Sequence, residues 1–457
     1  MKASVFAIGS QTFSRIKTRS CSTLAALLAL LVAIASLISP SLASVDPAIT
    51  ESVLHSFGSG DDAFMPQGEM VFDSAGNLYG VSPLGGGKGG GAIFELSPVS
   101  GGWTETVIYA FCSVTNCNDG NEPRGGLVFD SNGNIYGTTQ YGGTHALGVV
   151  FELSPSASGW TEKVLHNFCS AANCADGWLP SSRLIFDSAG NLYGTAPYGG
   201  PFGGQRGGGV AFEMTKASNG WKYSVLYSFC KSAQCADGDL PWGGLAFDAS
   251  GNLYGTTLDG GSGAAKCGSI GCGVVYELSP SAGGWKETVL YSFCSASNCT
   301  DGLSPYDSPV LDSRGDLYGT TYAGGNAACQ FNHGCGLVFE LVPGGGKWTE
   351  RILYTFTGGS DGGNSYAPLI FDTAGNLSGT TNSGGNPSCS YSLGCGVVFK
   401  LSRGSNGRWT ESVPYAFAGG SDGANPVSGL TSDSVHLYGL TQSGGNFEAG
   451  VAFELQQ

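Results

Sequence analysis

Fourteen of the fifteen cysteines fall into seven close pairs, and these are the residues whose chemistry is easiest to read. The pairs are Cys112/Cys117, Cys169/Cys174, Cys230/Cys235, Cys267/Cys272, Cys294/Cys299, Cys329/Cys335 and Cys389/Cys395. Both members of a pair appear or vanish together, and loop length changes with them. From Phe111 to Asp119 is eight residues with a pair between, and from Phe356 to Asp361 five residues without one. Bonding within each pair is therefore expected, which suits an oxidising compartment. Each short ring should contribute ~2 kcal/mol through loop entropy. Zinc would ask for C-x2-C spacings and recurring histidines, and neither is present. No metal and no cofactor are expected.

The other motifs that could do chemistry fail on context. Residues 358–362 and 419–423 fit G-x-S-x-G, the hydrolase elbow, but both are copies of one loop with no helix after them. Asp130-x-Asn132-x-Asn134 has calcium-loop spacing without the sixth-position Gly or the terminal Glu. Asp62, Asp119, Asp176, Asp237, Asp301, Asp361 and Asp422 recur once per repeat, six of them followed by Gly. A repeated turn explains them better than a metal ring. The five histidines are scattered. Asp259 is the one carboxylate off the pattern that could serve catalysis. No catalytic residue is assigned, and the chain reads more as a binder than as an enzyme.

What must position any site is a repeat, clearest in residues 123–168. It holds four short runs rich in β-branched and aromatic residues: 126–130, 134–139, 148–153 and 160–168. Gly, Asn, Ser and Pro stand between them, and none is long enough for a helix. The unit is a four-stranded antiparallel meander, its strands here called A to D. The Asp ending strand A counts the copies: Asp73, Asp130, Asp187, Asp248, Asp312, Asp372 and Asp433, 57 to 64 residues apart. One such sheet cannot bury both faces, whereas seven stacked radially can. The expected fold is all-β, a seven-bladed β-propeller; a linear solenoid is the alternative. Residues 51–57 match strand D, and the chain's final run, 450–455, matches strand C. Pairing them would close the ring.

The run GNLYGTT…GG…GVVFELSP…GWTETVLYSF…DG resembles the GloVer tandem repeat of bacterial extracellular proteins, over nearly all the chain after residue 48. That resemblance implies a family and a location outside the cytoplasm, and no activity. The strand A pattern P-x-G-L-x-x-D-x-x-G-N-L-Y is also similar to the NHL class of propeller.

Residues 1–43 read as a signal peptide, with Lys2, Arg15, Lys17 and Arg19 before an apolar run and a small-x-small site at 41–43. Residues 44–457 then form a single propeller domain, with no membrane span after cleavage. Gly supplies 77 of 457 residues, but it is periodic and marks turns. After cleavage, sixteen Lys and Arg face thirty-five Asp and Glu, a net charge of −19. That excludes nucleic acid as a natural partner. A secreted monomer in the extracytoplasmic space is expected.

In a meander blade the short A–B and C–D turns share one face, and the variable B–C and D–A loops share the other. Binding is expected on the second. The residue leading into strand A varies from blade to blade: Gln67, Arg124, Ser181, Trp242, Tyr306, Tyr366 and Val427. Its aromatics fall in blades 4 to 6, as do the stapled B–C loops 258–272, 322–335 and 382–395. A groove there should be lined by Trp242, Tyr306, Tyr366 and Tyr322, with Asp259 and Asn382 orienting a polar ligand. Six tryptophans, Trp103, Trp160, Trp221, Trp285, Trp348 and Trp409, begin strand D with Ile49 in the seventh place, and are expected between blades. The function expected is a disulfide-stapled binding or scaffold module for a polysaccharide or protein. The alternative is an extracellular carbohydrate-active hydrolase or lyase on the same scaffold.

Overall fold

The repeating Asp explains its own motif. Asp130 Oδ1 accepts the N–H groups of Asn132 and Asn134 at 2.9 and 3.0 Å, and Oδ2 accepts Asn134 Nδ2 at 3.0 Å and the Tyr136 hydroxyl at 3.1 Å. One carboxylate thus closes the A–B turn and ties down strand B. In the second blade the strands are Val128–Phe129, Ile135–Tyr141, Val149–Ser156 and Gly159–Asn167, each antiparallel to the next. These are the four runs read from the sequence.

The computed structural model describes residues 49–456, apart from 59, 219, 263–266, 268–270, 326–328 and 330–332. The signal peptide expected over residues 1–43 lies outside the described residues. Seven four-stranded blades form a β-propeller, with no α-helix among the described residues. The seventh blade takes its outer strand from the start of the domain. Glu51–Ser56 pairs antiparallel with Val451–Gln456, Glu51 opposite Leu455 and Ser56 opposite Val451. Phe57 N–H then donates to Gly450 O at 3.0 Å.

The core lies in the seams between blades, one buried cluster per seam. The seam between blades 7 and 1 is built like the others, with Leu440 and Ala452 against Met70, Leu78 and Phe94. A solenoid would leave that seam unmade. The Phe ending strand D is fully buried in every blade and meets a ring from strand C of the next: Phe111 on Phe151 at 5.1 Å, Phe57 on Phe94 at 4.9 Å. Each such burial stabilises by about 1.5–3 kcal/mol. The strand B glycine makes room for that ring. At Gly137 a Cβ would lie 2.6 Å from Phe151 Cζ.

The strand D tryptophans pack between blades, each against the strand B tyrosine of the blade before, as with Trp160 on Tyr79 at 6.2 Å and Trp221 on Tyr136 at 5.8 Å. The seventh place departs on both sides at once: Ile49 replaces Trp, and Ser378 of blade 6 replaces the tyrosine. Strand B threonines add cross-blade bonds near the axis. Thr195 Oγ1 donates to Gly243 O and Thr256 Oγ1 to Asp307 O, both at 2.8 Å.

All seven cysteine pairs are disulfides, each within its own loop: Cys112–Cys117, Cys169–Cys174, Cys230–Cys235, Cys267–Cys272, Cys294–Cys299, Cys329–Cys335 and Cys389–Cys395. In the D–A loops the first cysteine takes a left-handed backbone, φ 59° at Cys112, and its N–H closes on Gly120 O. Where no pair is present Gly358 and Gly419 hold that conformation, at φ 76° and 78°. A side chain there carries strain that glycine avoids, and the staple holds it.

Between strands D and A the chain winds the second cysteine into a short 3-10 turn, Ala172–Cys174. The same turn recurs as Thr115–Cys117, Ala233–Cys235 and Ser297–Cys299. A separation of five residues brings the two cysteines close, with Cα atoms 3.9 Å apart at Cys169 and Cys174, and the chain must coil to allow it. Nor is Cys174 only a staple. Its carbonyl accepts the N–H groups of Gly177 and Gly200, both at 3.0 Å, and so ties the D–A loop to the B–C loop of the blade it leads into. The repeated DG aspartates are turn closers: Asp119 Oδ2 accepts Ser113 N–H at 2.8 Å and the Tyr109 hydroxyl at 3.0 Å.

Candidate ligand site at the mouth of the axial channel

The residue two places before each variable position has a left-handed backbone in all seven blades: Met65, Glu122, Leu179, Leu240, Ser304, Asn364 and Asn425, φ 54° to 60°. Such a conformation is uncommon for these residue types and needs to be held. A cross-blade bond holds it, as Leu240 N–H to Gly208 O at 3.1 Å and Glu122 N–H to Gly90 O at 2.8 Å. A buried proline follows in six blades and Ser365 in the other. This kink delivers the variable side chain to the axis.

Three of those bonds end on cysteines. Ser304 N–H donates to Cys272 O, Asn364 N–H to Cys335 O and Asn425 N–H to Cys395 O, each at 2.8 Å. The B–C staple of one blade therefore fixes the mouth residue of the next. Staples in blades 4, 5 and 6 hold the segments carrying Tyr306, Tyr366 and Val427. Each stapled loop thus reaches across the seam to the blade that follows. Asn364 Nδ2 also donates to Tyr322 O, and Asn425 Nδ2 to Asn382 O, both at 2.9 Å.

The seven variable residues all line one cavity of about 710 Å³ on the axis. Asn382 and Gln442 line it too, and no cysteine does. The expected groove over blades 4 to 6 is thus a channel shared by all seven blades, with an asymmetric mouth. One side carries Trp242, Tyr306 and Tyr366, which belong to a longer arc of aromatic rings that continues outside the lining. Trp178 meets Tyr198 at 4.8 Å, Tyr198 meets Trp242 at 6.0 Å, and Trp242 stacks on Tyr306 at 6.0 Å with planes 29° apart. Tyr306 meets Tyr366 at 4.8 Å, and Tyr366 meets Tyr322 at 4.8 Å. Burial, then a hydrogen bond with Tyr322, pushes the Tyr366 phenol well up, so it stays a neutral hydroxyl. The other side is polar. Arg124 donates to Gln67 Oε1 at 3.1 Å and to Glu122 Oε2 at 2.9 Å.

Of the candidate residues, Trp242, Tyr306, Tyr366 and Asn382 line the cavity, and Tyr322 packs behind its rim through Tyr306 and Tyr366. Asp259 does not line it. It is buried beside Asp239, and Arg206 reaches both carboxylates, at 3.5 and 2.8 Å. Burial and the Asp239 charge, opposed by Arg206, raise the Asp259 carboxyl to about 6. A charge so enclosed needs its cation close by, which is why it turns to Arg206 rather than to the channel.

Sequence comparison at one position per blade missed the charged residues deeper in. Glu69, Arg183 and Asp307 all line the cavity. Arg183 Nη1 donates to Glu69 Oε2 at 2.5 Å, from blade 3 to blade 1. Asp307 occupies a place held by Gly68, Gly125, Ser182, Gly243, Ala367 and Ser428 elsewhere. Reading one place further along each repeat exposes it. Burial, and after it Glu69, push its carboxyl up to about 7.

Fold and site together define a seven-bladed propeller, stapled by disulfides, whose axial channel opens through an aromatic and polar rim. The chain belongs to the Gloeobacter/Verrucomicrobia repeat family, whose profile matches residues 40–202, 106–270 and 263–457. No curated protein matches it. Among solved structures, it is similar to one from Thermus thermophilus assigned as an oxidoreductase (glucose dehydrogenase), 11% identical over 89% of this chain and 99% of that one, with a TM-score of 0.40. Another, from Dyadobacter fermentans and of unknown function, is 11% identical over 90% of this chain and 99% of that one, with a TM-score of 0.43. Likenesses this distant carry nothing about activity.

Proposed function

We propose that this protein is an extracytoplasmic binding module that takes a carbohydrate chain at the mouth of its axial channel. The observation that carries the reading is that Trp242, Tyr306 and Tyr366 line the cavity together, within an arc of six rings, Trp178 to Tyr322, whose neighbouring centroids lie 4.8 to 6.0 Å apart. Sugar rings present flat C–H faces that suit such surfaces, and the Gln67, Arg124, Asn382 and Gln442 side chains opposite offer hydrogen bonds. The staples support it by holding part of the rim before the ligand arrives, which lowers the entropy cost of binding. Seven disulfides suit an oxidising location, and among the described residues no helix is long and apolar enough to cross a membrane.

A hydrolase or lyase on the same channel is the second reading, favoured by Asp307, whose carboxyl could hold a proton near neutral pH. Glycoside hydrolysis needs a second working carboxylate. Glu69, the other acid lining the cavity, is neutralised by Arg183. Binding without turnover is therefore the better account.

The test is a glycan microarray on the mature protein, followed by calorimetry on Trp242→Ala and Tyr306→Ala with the best ligand. Loss of affinity by about tenfold or more, with melting temperature unchanged, is expected for a ring at the centre of a site. Unchanged affinity in both variants would overturn the reading.

A further inference from the structure

Resting on that reading, we infer that the channel is built to receive a primary ammonium group, so that the glycan it takes is an amino sugar with a free amine. At one place in seven the repeat abandons a small residue. Asp307 stands where the other blades have Gly, Ala or Ser. Nothing in the blade requires a carboxylate there, since six blades are made without one.

The carboxylate is held in position. Ser308 N–H donates to its Oδ1 at 2.6 Å, and Gly244 N–H of the neighbouring blade also bonds it. Its own backbone carbonyl is fixed by Thr256 Oγ1 at 2.8 Å. It lines the axial cavity directly after Tyr306, one of the rim rings.

It lacks a cation. The ionisable groups sharing the cavity are Glu69, Arg124, Arg183, Tyr306 and Tyr366. Arg183 is committed to Glu69 at 2.5 Å, and Arg124 to Glu122 at 2.9 Å. A half-buried carboxyl facing Glu69 is pushed up, here to about 7: burial raises it most, the Ser308 N–H opposes, and Glu69 raises it further. An ammonium entering the channel would restore its charge. The same cation would meet the faces of Trp242 and Tyr306, which attract cations and reject anions. Neutral sugars would satisfy the rings and leave Asp307 without a partner.

The experiment is calorimetry at pH 6.5 with three probes: a tetramer of glucosamine, a tetramer of N-acetylglucosamine, and a tetrapeptide of lysine. They are titrated into the intact mature protein, Asp307→Ser and Trp242→Ala. Serine already stands at this place in blades 3 and 7, so the variant keeps the fold. The glucosamine tetramer should bind at least about tenfold more tightly than its acetylated counterpart, as loss of one charged hydrogen bond predicts. Asp307→Ser should erase that preference, and Trp242→Ala should weaken both sugars. Equal binding of the two sugars, or a preference that survives in Asp307→Ser, overturns the inference while leaving a Trp242-dependent glycan site standing. No binding of either sugar overturns the inference, while a Trp242-dependent ligand of another class on the array would leave the glycan reading standing. Binding of the lysine peptide as tight as that of the glucosamine tetramer overturns the assignment to a saccharide.

Discussion

Glu162 Oε1 and Asp119 Oδ1 are both buried at the seam between blades 1 and 2, and among the described residues neither atom has a hydrogen-bond partner. Glu162 comes from strand D of blade 2, and Asp119 from the loop leading into that blade. Two carboxylates so placed repel, and one proton between them removes the repulsion. Burial and then the Asp119 charge push Glu162 up to about 8. The same pairing recurs as Glu51 with Asp422, Glu105 with Asp62, Glu287 with Asp237, Glu350 with Asp301 and Glu411 with Asp361, each Glu raised to about 7 by burial first and the Asp second. Blade 3 replaces Glu by Tyr223, whose hydroxyl donates to Asp176 O at 2.5 Å.

This ring of acid pairs sets an unusual pH dependence. A carboxyl raised in the folded state binds its proton more tightly there than in the unfolded chain. Its stabilising contribution is full below the unfolded value of 4.5 and is lost as pH rises through 7 to 8. Asp176 and Asp433 work the other way. Although burial opposes it, their hydrogen bonds hold them at about 2, so their contribution is lost as pH falls from 3.8 toward 2. Melting temperature should peak between about pH 4 and 5 and fall steadily to pH 8. Glu162→Gln should raise melting at pH 8 by roughly 1–3 °C and leave pH 4.5 unchanged or slightly lower. A maximum at pH 7 or above would show that the pairs do not hold protons.

Ring closure predicts an equality. Phe57 and Phe111 are both fully buried and meet strand C rings at 4.9 and 5.1 Å. Phe57→Ala and Phe111→Ala should each cost about 3–5 kcal/mol in denaturant unfolding. If the first strand were only loosely attached, Phe57→Ala would be nearly silent while Phe111→Ala remained costly.

The staple in blade 4 should matter to ligand binding from a distance. Cys272 O anchors Ser304 N–H at 2.8 Å, two residues before Tyr306. Replacing Cys267 and Cys272 by serine should lower stability by about 2 kcal/mol. It should also weaken glycan binding by roughly threefold through a looser rim. Replacing Cys112 and Cys117, whose loop leads to Arg124 on the polar side, should cost similar stability with less effect on binding. Equal effects on binding would remove the link between staple and rim.

Much of this was legible because the chain repeats itself. Asp130, Gly133, Asn134 and Tyr136 recur in register, so blade count, strand order and the closing pair of strands could be read from one copy. The disulfides could be read because each pair travels with its loop. The second role of Cys174 could not, because a backbone carbonyl leaves no mark on residue type. Asp307 was not read because only the place before it was compared across blades. The Glu162–Asp119 pairing lies beyond any single repeat: on strand D, Glu162 alternates with exposed Thr161 and Lys163 and looks like a surface residue. Only the stacking of blades brings Asp119 to it. Asp259 showed the converse error, an off-pattern acid whose partner, Arg206, lies in an off-pattern loop of the preceding blade.

The central claim is that a glycan binds at the axial mouth, against the aromatic arc. The most direct test is a crystal structure of the mature protein with the best oligosaccharide from the array. The account predicts sugar density in the channel mouth, with a ring stacked on Trp242 or Tyr306 and hydroxyls within hydrogen-bond distance of Asn382 or Gln442. Density on the outer strands or over the A–B turns, with the mouth holding only solvent, would contradict it.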